Sequence, residues 1–183
     1  MSTRKMNIVK ASIFFCFFLP LLATADKHIP FGGKSDVMFA KTVWEELVKQ
    51  RLAGENRINV QPFKGNEPHG AIQQVFATEL TINKRTARVL VKHNHGGPDL
   101  TVKKVYDEPN KYLKAVTIMF KRESGYDPDN QDWFWAKYLP DGKLDKNPKA
   151  MELAGRVAKG MPQGCIACHT PLGGADMQIL TSQ

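Results

Sequence analysis

Cysteine is scarce in this sequence, and long hydrophobic runs are missing from it. The chain has only three cysteines, and no apolar run reaches the roughly 20 residues that a membrane-spanning helix needs. It also contains no internal repeat, no low-complexity tract and no basic run interleaved with aromatic residues. These absences argue against a multi-span membrane protein, a repeat architecture and a nucleic-acid-binding protein.

The composition that remains is that of an ordinary globular protein. Of the 183 residues, 42% are hydrophobic and 24% are charged, which excludes intrinsic disorder and collagen-like chains. The length fits one domain plus a short extra segment. The formal net charge of +8 is a mild excess that suits an acidic partner.

Residues 1–25 have the three-part pattern of a secretory signal peptide. A basic start without acidic residues precedes an apolar stretch over residues 11–22 and a small-residue cleavage pattern that ends at Ala25. Cleavage there is expected, with an uncleaved membrane anchor as the alternative. The sequence therefore predicts an exported, periplasmic protein whose single domain spans residues 26–183.

Removal of that segment takes Cys16 with it and leaves Cys165 and Cys168, which His169 follows directly. In an exported protein, C-x-x-C-H is the attachment motif of a c-type haem. Each thiol adds to a vinyl group of the haem, and the adjacent histidine is placed to bind the iron. The alternatives are a redox-active or disulfide-bonded pair, whose motif usually lies near the start of a domain, and a zinc site, which would lack two ligands. One covalently attached haem c with its iron is therefore the predicted cofactor.

Hydrophobic spacing predicts an α+β fold. Apolar residues recur at helical spacing over 35–52, with Ser35 or Asp36 as the N-cap and Gly54 as a stop. A second helix is predicted over Pro148–Lys159, ahead of the haem motif. Short runs rich in β-branched and aromatic residues predict the strands Ala71–Leu80, Arg85–His93, Tyr112–Lys121 and Asp132–Leu139, with a further short strand around Thr101–Val105. The expected architecture is an antiparallel β-sheet of about five strands with an N-terminal helix and a C-terminal helix carrying the haem motif.

The position of the motif separates this chain from the commonest small cytochromes. Helical electron-transfer cytochromes carry C-x-x-C-H near the start of the domain and a methionine ligand far downstream, whereas here the motif lies close to the C-terminus. Met177 would have to carry the chain around the haem edge, and Pro171, Gly173 and Gly174 favour a surface loop. Met177 is therefore expected to be a packing residue. The strand-rich middle of the chain also contradicts a four-helix-bundle cytochrome c'.

Three predicted strand segments and the terminal motif point to one family. Ala71–Phe76, Arg88–Lys92 and Asp132–Trp135, together with Cys165–His169, resemble the cytochrome P-460 / cytochrome c'-beta family. The resemblance covers roughly residues 63–177. It implies a compact antiparallel sheet with helices, usually as a homodimer, holding one haem whose distal face, opposite the histidine, is often empty. P-460 enzymes use that face to oxidise hydroxylamine, and c'-beta proteins use it to bind nitric oxide.

The resemblance also assigns a role to Lys92, because in P-460 enzymes a lysine on the corresponding strand bonds covalently to the haem. The alternative is an ordinary solvated strand lysine, and alternation does not decide, since both faces of its strand carry apolar residues. Phe120, Trp133 and Trp135 would wall a flat apolar cofactor, with an ordinary sheet core as the alternative. At least one of these aromatic residues is expected to line the haem pocket.

Other polar residues are weaker candidates. His93 and His95 could bind iron, but a polar turn is the preferred interpretation, and His28 and His69 receive no role. The enzymes of the family use an arginine and a carboxylate near the distal face, where this chain aligns Gln73 and Thr117. These departures weaken the case for hydroxylamine oxidation, unless Glu79, Glu123 or Asp132 substitutes.

Three functions follow from these observations. The first is a P-460-like oxidoreductase that acts on hydroxylamine or a related nitrogen compound and passes electrons to another cytochrome or electron carrier. The second is a non-enzymatic protein that binds nitric oxide, and the third is a simple electron carrier, which needs a second strong iron ligand.

Overall fold

The structure is a computed structural model that describes residues 30–66, 68–172 and 176–178. The predicted signal peptide, with Cys16, and also His28 lie outside the described residues. Within the described part of the chain, no helix is long and apolar enough to cross a membrane.

A six-stranded antiparallel sheet forms the centre of the fold, in the sequential order β1-β2-β3-β4-β5-β6. The α+β class and the antiparallel sheet are confirmed. The count of about five strands differs because two strands are only two residues long, too short to leave a pattern. The strands are β1 (Phe63–Lys64), β2 (Ile72–Ile82), β3 (Arg85–His95), β4 (Leu113–Lys121), β5 (Trp133–Tyr138) and β6 (Ala154–Gly155).

The turn between β2 and β3 sets the register of the central strands. Asn83 and Lys84 have φ angles of 50° and 67°, and Ile82 pairs with Arg85 across the hairpin. Positive φ at both central residues is the geometry whose twist matches that of the two strands. This turn determines which β3 side chains point to each face of the sheet.

Helix α1 (Lys34–Lys49) covers one face of the sheet, which we call the α1 face. Its buried Val43 and Leu47 lie in one core with Val89, Val91 and other apolar sheet residues. We call this cluster the α1 core. The predicted helix over 35–52 is thus correct in place, although its N-cap is Gly33 and it ends before Gly54.

The opposite face of the sheet, the motif face, packs against the C-terminal part of the chain. There Leu90, Met119, Trp133 and Trp135 form a second core. The helix α4 (Cys165–Leu172) carries the motif, and its Ile166 belongs to that second core. The sheet therefore separates an ordinary helix-covered core from the region of the motif.

Two predicted elements are wrong. The strand around Thr101–Val105 is instead the helix α2 (Val102–Asp107), because the Thr101 hydroxyl accepts a hydrogen bond from the backbone N–H of Lys104 at 3.2 Å and caps it. A short helix, α3 (Pro109–Tyr112), follows, and a 3₁₀ turn spans Pro128–Asn130.

The helix predicted over Pro148–Lys159 is also absent, and a turn followed by β6 takes its place. The Asn147 side chain accepts hydrogen bonds from the backbone N–H groups of Lys149 at 3.0 Å and Met151 at 2.9 Å. An asparagine that binds these donors competes with helix formation. Ala150, with a φ of 60°, then reverses the chain.

We expect Leu47→Ala to lower the free energy of unfolding by about 2–5 kcal/mol, because it leaves a cavity in the α1 core. Met38→Ala is the matched control on the same helix, since Met38 is 62% exposed whereas Leu47 is fully buried. The control should change stability by less than about 0.5 kcal/mol. Urea denaturation of both variants checks this, and equal losses would contradict the burial of this helix face.

Candidate functional site

The start of α4 is held close to the preceding loop. Gly164 has a φ of 124°, and a Cβ atom at this position would lie 2.3 Å from the Cβ atom of Ala158. Only glycine fits both the backbone conformation and the close approach. The Gly164 carbonyl then accepts a hydrogen bond from the backbone N–H of Cys168 at 3.0 Å. The local sequence thus places both cysteines and His169 on one short helix.

His169 is buried and oriented through one ring nitrogen. Its Nδ1 donates a hydrogen bond to the carbonyl oxygen of Met177 at 2.7 Å, and its ring packs edge-on against Trp135, with the ring centroids 4.8 Å apart. Burial lowers the pKa of His169 below its ordinary value. Because Nδ1 is engaged, Nε2 is the nitrogen that can bind a metal ion. Met177 is itself buried in the second core, as expected for a packing residue.

A partly open cavity lies between α4 and the motif face, and about 320 Å³ inside it and at its mouth is free of protein atoms. Its lining is mainly apolar, and none of its residues is an aspartate or a glutamate. The lining residues are His69, Leu90, Lys92, Thr117, Ile118, Met119, Trp135, Ala136, Cys165 and His169.

Lys92 lies on the motif face and lines this cavity. It is only 6% exposed, and it pairs with Thr117 of β4 in the strand register. Burial lowers the pKa of Lys92, while its proximity to Cys168 acts in the opposite direction. Both faces of β3 carry apolar residues because both are buried, which is why the alternation in the sequence left the orientation of Lys92 open.

Cys165 and Cys168 are both free thiols in this structure. Burial raises the pKa of Cys165 to about 11. Redox-active C-x-x-C pairs have the opposite property, a thiol whose pKa is lowered so that the reactive thiolate forms. Within the described residues there is no group of three or more His, Cys, Asp or Glu side chains that could hold a metal ion.

The three aromatic candidates have different positions. Trp135 lines the cavity, and its indole Nε1 is buried with no hydrogen-bond partner among the described residues. Trp133 lies in the second core, and its Nε1 donates a hydrogen bond to the carbonyl of Asp176 at 3.0 Å. This hydrogen bond attaches the segment after α4 to strand β5. Phe120 is on the wrong face for the pocket, because it packs in the α1 core against Phe39 with centroids 5.8 Å apart.

His93 and His95 do not form a polar turn, and that interpretation is wrong. Both are buried in β3 on the α1 face. The Nε2 of His93 is 2.8 Å from the carbonyl oxygen of Leu52, and that of His95 is 3.0 Å from the side-chain oxygen of Gln74. Alternation along β3 therefore points both histidines away from the cavity.

Gln73 and Thr117 were aligned with the arginine and the carboxylate near the distal face of the P-460 enzymes, and only one of them lies at the cavity. Thr117 lines the cavity, whereas Gln73 is buried on β2 and donates to the carbonyl of Asn66 at 3.4 Å. The suggested substitutes are not among the lining residues. Glu123 is paired with Arg122, and the Asp132 carboxylate accepts from the backbone N–H of Asp127 at 2.8 Å, while Glu79 is exposed.

Sequence reasoning missed His69, which lines the cavity from the loop before β2. Its Nδ1 is 3.3 Å from the hydroxyl of Thr117, and its ring centroid is 6.0 Å from that of His169. Burial, and then the charge of Lys92, lowers the pKa of His69 to about 4. A loop histidine carries no periodic signal that would have found it. The neighbouring Gly70 shows where this loop approaches β3, because a Cβ atom at Gly70 would lie 2.6 Å from the carbonyl oxygen of His95.

The cavity thus joins one thiol, two histidines, a buried lysine and a hydroxyl across a mainly apolar space. Comparison with known proteins adds nothing to this geometry, because no protein-family model, no curated protein and no solved structure matches the chain. The chemistry of the site has to be inferred from its own residues.

We expect stability to fall in acid, because burial lowers the pKa of His93 to about 4 and that of His95 to about 3 from an ordinary 6.5. The unfolded chain then binds more protons below pH 6.5, so the stability present above that pH is lost as the pH falls towards about 4. His95→Gln should reduce the slope by up to about 1.4 kcal/mol per pH unit. Urea denaturation between neutral pH and about pH 4.5 measures it. An unchanged slope would contradict the prediction.

Proposed function

We propose that this chain is an exported monohaem c-type cytochrome, similar to cytochrome P-460, in which small nitrogen compounds reach the iron from the face opposite His169. The observation that carries the proposal is the cavity between α4 and the motif face. His169 and Cys165 line it from the helix, and Lys92 and Thr117 line it from the sheet. Two side chains of the C-x-x-C-H motif therefore face this partly open cavity, whereas Cys168 is not among its lining residues.

The residues around the cavity fit a haem. Most of the lining side chains, such as Leu90, Met119 and Trp135, are apolar and suit a flat apolar ring. The buried Nε1 of Trp135 is a donor without a partner among the described residues, and a polar group at the edge of the haem could accept from it. When bound, haem supplies an iron that exchanges single electrons and binds small ligands.

The roles of the chain's own residues follow from their contacts. His169 would bind iron through Nε2, and its hydrogen bond from Nδ1 to Met177 keeps the ring in one orientation. Trp133 supports this arrangement by binding the carbonyl of Asp176, next to Met177. On the other side, Lys92 and Thr117 offer hydrogen-bond donors to a small nitrogen-containing ligand.

Two functions of different classes each have a supporting observation. The buried position of Lys92 favours a P-460-like oxidoreductase that acts on hydroxylamine or a related compound and passes electrons to a redox partner. The lining without a carboxylate favours non-enzymatic binding of nitric oxide, because a threonine is not a general base near neutral pH. Removal of the predicted signal peptide, which contains Arg4, Lys5 and Lys10 and no acidic residue, lowers the net charge from +8 to about +5, an excess that suits an acidic electron-transfer partner in either case.

The first test is covalent attachment of haem. We expect the haem to stay with the polypeptide through acid–acetone extraction and denaturing electrophoresis, because thioether bonds survive both treatments. Cys165→Ser combined with Cys168→Ser should release it. His169→Ala should keep the haem attached but lose the native spectrum, since this variant removes only the iron ligand. Haem that washes out of the unaltered protein would overturn the proposal.

The second test is ligand binding to the reduced iron. We expect the ferrous protein to bind carbon monoxide and nitric oxide, because the wall opposite His169 offers polar donors around an apolar space. Absorption spectra recorded during gas titration measure binding. A ferrous haem that resists both gases would assign the protein to the simple electron carriers.

Lys92 decides between the enzymatic and the gas-binding function. The enzyme function predicts a haem peptide that carries Lys92 as well as the cysteines, and Lys92→Arg would then restore an ordinary c-type spectrum. The gas-binding function predicts an unmodified Lys92 and the same spectrum in both proteins. Mass spectrometry of proteolytic haem peptides separates these outcomes. Lys137→Arg is a matched control, because Lys137 lies on the motif face of β5 but is paired with Asp145.

A further inference from the structure

Two histidine rings are close to each other in the cavity, although they come from distant parts of the chain. His69 lies in the loop before β2, and His169 lies on α4. Their ring centroids are 6.0 Å apart and their ring planes are at 87°. Neither the motif nor the strand pattern requires this approach.

The spacing is that of two imidazoles that share one metal ion. A metal–imidazole nitrogen bond is about 2 Å long and the ring centre lies roughly 1 Å further on, so two rings on opposite sides of one ion have centres about 6 Å apart. The 6.0 Å between the centroids of the two rings therefore matches the separation of two imidazoles on opposite sides of one iron. The nearly perpendicular ring planes are compatible with such binding, because each ring can turn about its own bond to the metal.

Each of the two rings has a hydrogen-bond partner at Nδ1, and the His69 side chain also interacts with Asn94. His169 uses Nδ1 towards the Met177 carbonyl, and the Nδ1 of His69 lies 3.3 Å from the Thr117 hydroxyl. The side-chain amide of Asn94 donates to the same hydroxyl at 3.2 Å. Histidines that bind metals usually engage their second nitrogen in this way, which orients the ring.

The loop holds His69 in place without locking it. The backbone N–H of His69 donates to the carbonyl of Asn66 at 3.1 Å, and the close approach of Gly70 to His95 attaches the loop to the end of β3. His69 is nevertheless only partly buried, whereas His169 is 4% exposed. A ligand on a surface loop can leave the iron at less cost than one on a helix that the haem itself anchors.

We propose that His69 is a displaceable sixth ligand of the haem iron, on the face opposite His169. The inference rests on the proposed function, because it requires a haem in this cavity. A small ligand then binds by exchange: the bond between iron and the His69 Nε2 breaks, the bond between iron and the incoming molecule forms, and no electron is transferred. His69 thereby limits access to the iron without closing the site.

The test uses the haem-loaded protein and carbon monoxide as the probe. The unaltered protein should have the low-spin absorption and electron paramagnetic resonance spectra of an iron with two histidine ligands. His69→Ala should become high-spin, and added imidazole should restore the low-spin spectrum. If His69 holds the iron in about nine molecules of ten, its removal should raise the affinity for carbon monoxide about tenfold.

Lys92→Met is the matched variant, because Lys92 lines the same cavity and an amine can also bind iron. The proposal predicts that this variant stays low-spin. A high-spin spectrum in the unaltered protein, a low-spin spectrum that persists in His69→Ala, or a loss of the low-spin spectrum in Lys92→Met would each overturn the role of His69. All three results would leave haem attachment intact, whereas a protein without covalent haem would mean that the proposed function itself has failed.

Discussion

The register of β3 between β2 and β4 is the constraint on which the rest of the structure depends. Successive side chains of this strand point to opposite faces, and both faces are buried. Val89, Val91 and His93 therefore contact the α1 side, while Leu90 and Lys92 contact the motif side. A shift by one residue would exchange the two sets and would place Lys92 in the apolar core beneath α1. The Asn83-Lys84 turn, which pairs Ile82 with Arg85, prevents that shift.

The motif face holds buried polar groups. Lys92 is almost fully buried beside a mainly apolar cavity, and the Nε1 of Trp135 has no partner among the described residues. Burial of such groups costs stability unless another polar group compensates for the lost contact with water. The α1 face holds such groups too, since the Nε2 atoms of His93 and His95 have partners but their Nδ1 atoms are buried with none among the described residues. Unpaired polar atoms therefore occur on both faces, and the feature that distinguishes the motif face is the cavity that Lys92 lines.

The nature of the sixth iron ligand links the functions proposed for this site. A strong and permanent ligand would favour electron transfer, and an empty position would favour binding of a gas or a substrate. His69 lies on the loop side of the cavity and Lys92 on the sheet side, so both could influence the same position. A weakly held histidine would allow a c-type haem to transfer electrons and also to admit small ligands. The two activities would then compete for one coordination position.

Local features of this protein were determined by the sequence itself. The C-x-x-C-H motif, the turn at Asn83-Lys84, the long helix α1 and the main strands depend on neighbouring residues or on one repeating pattern, so the chain alone contains the information. Short strands were harder to predict from the sequence, because β1 and β6 contain only two residues each and form by pairing with a longer strand. The helix predicted over Pro148–Lys159 does not form, because the side chain of Asn147 accepts hydrogen bonds from backbone N–H groups of that segment.

Only the tertiary structure decided which residues share the cavity. Phe120 and Trp135 both belong to buried strands, yet alternation and register send the phenylalanine to the α1 core and the tryptophan to the cavity. Lys92 could not be oriented from its neighbours, because apolar residues on both faces of β3 hide the period of two. His69 was invisible in the sequence, since its approach to His169 depends on a loop that packs against β3 and on a helix far along the chain. Contacts between residues that are distant in sequence arise from packing, and a linear pattern does not record them.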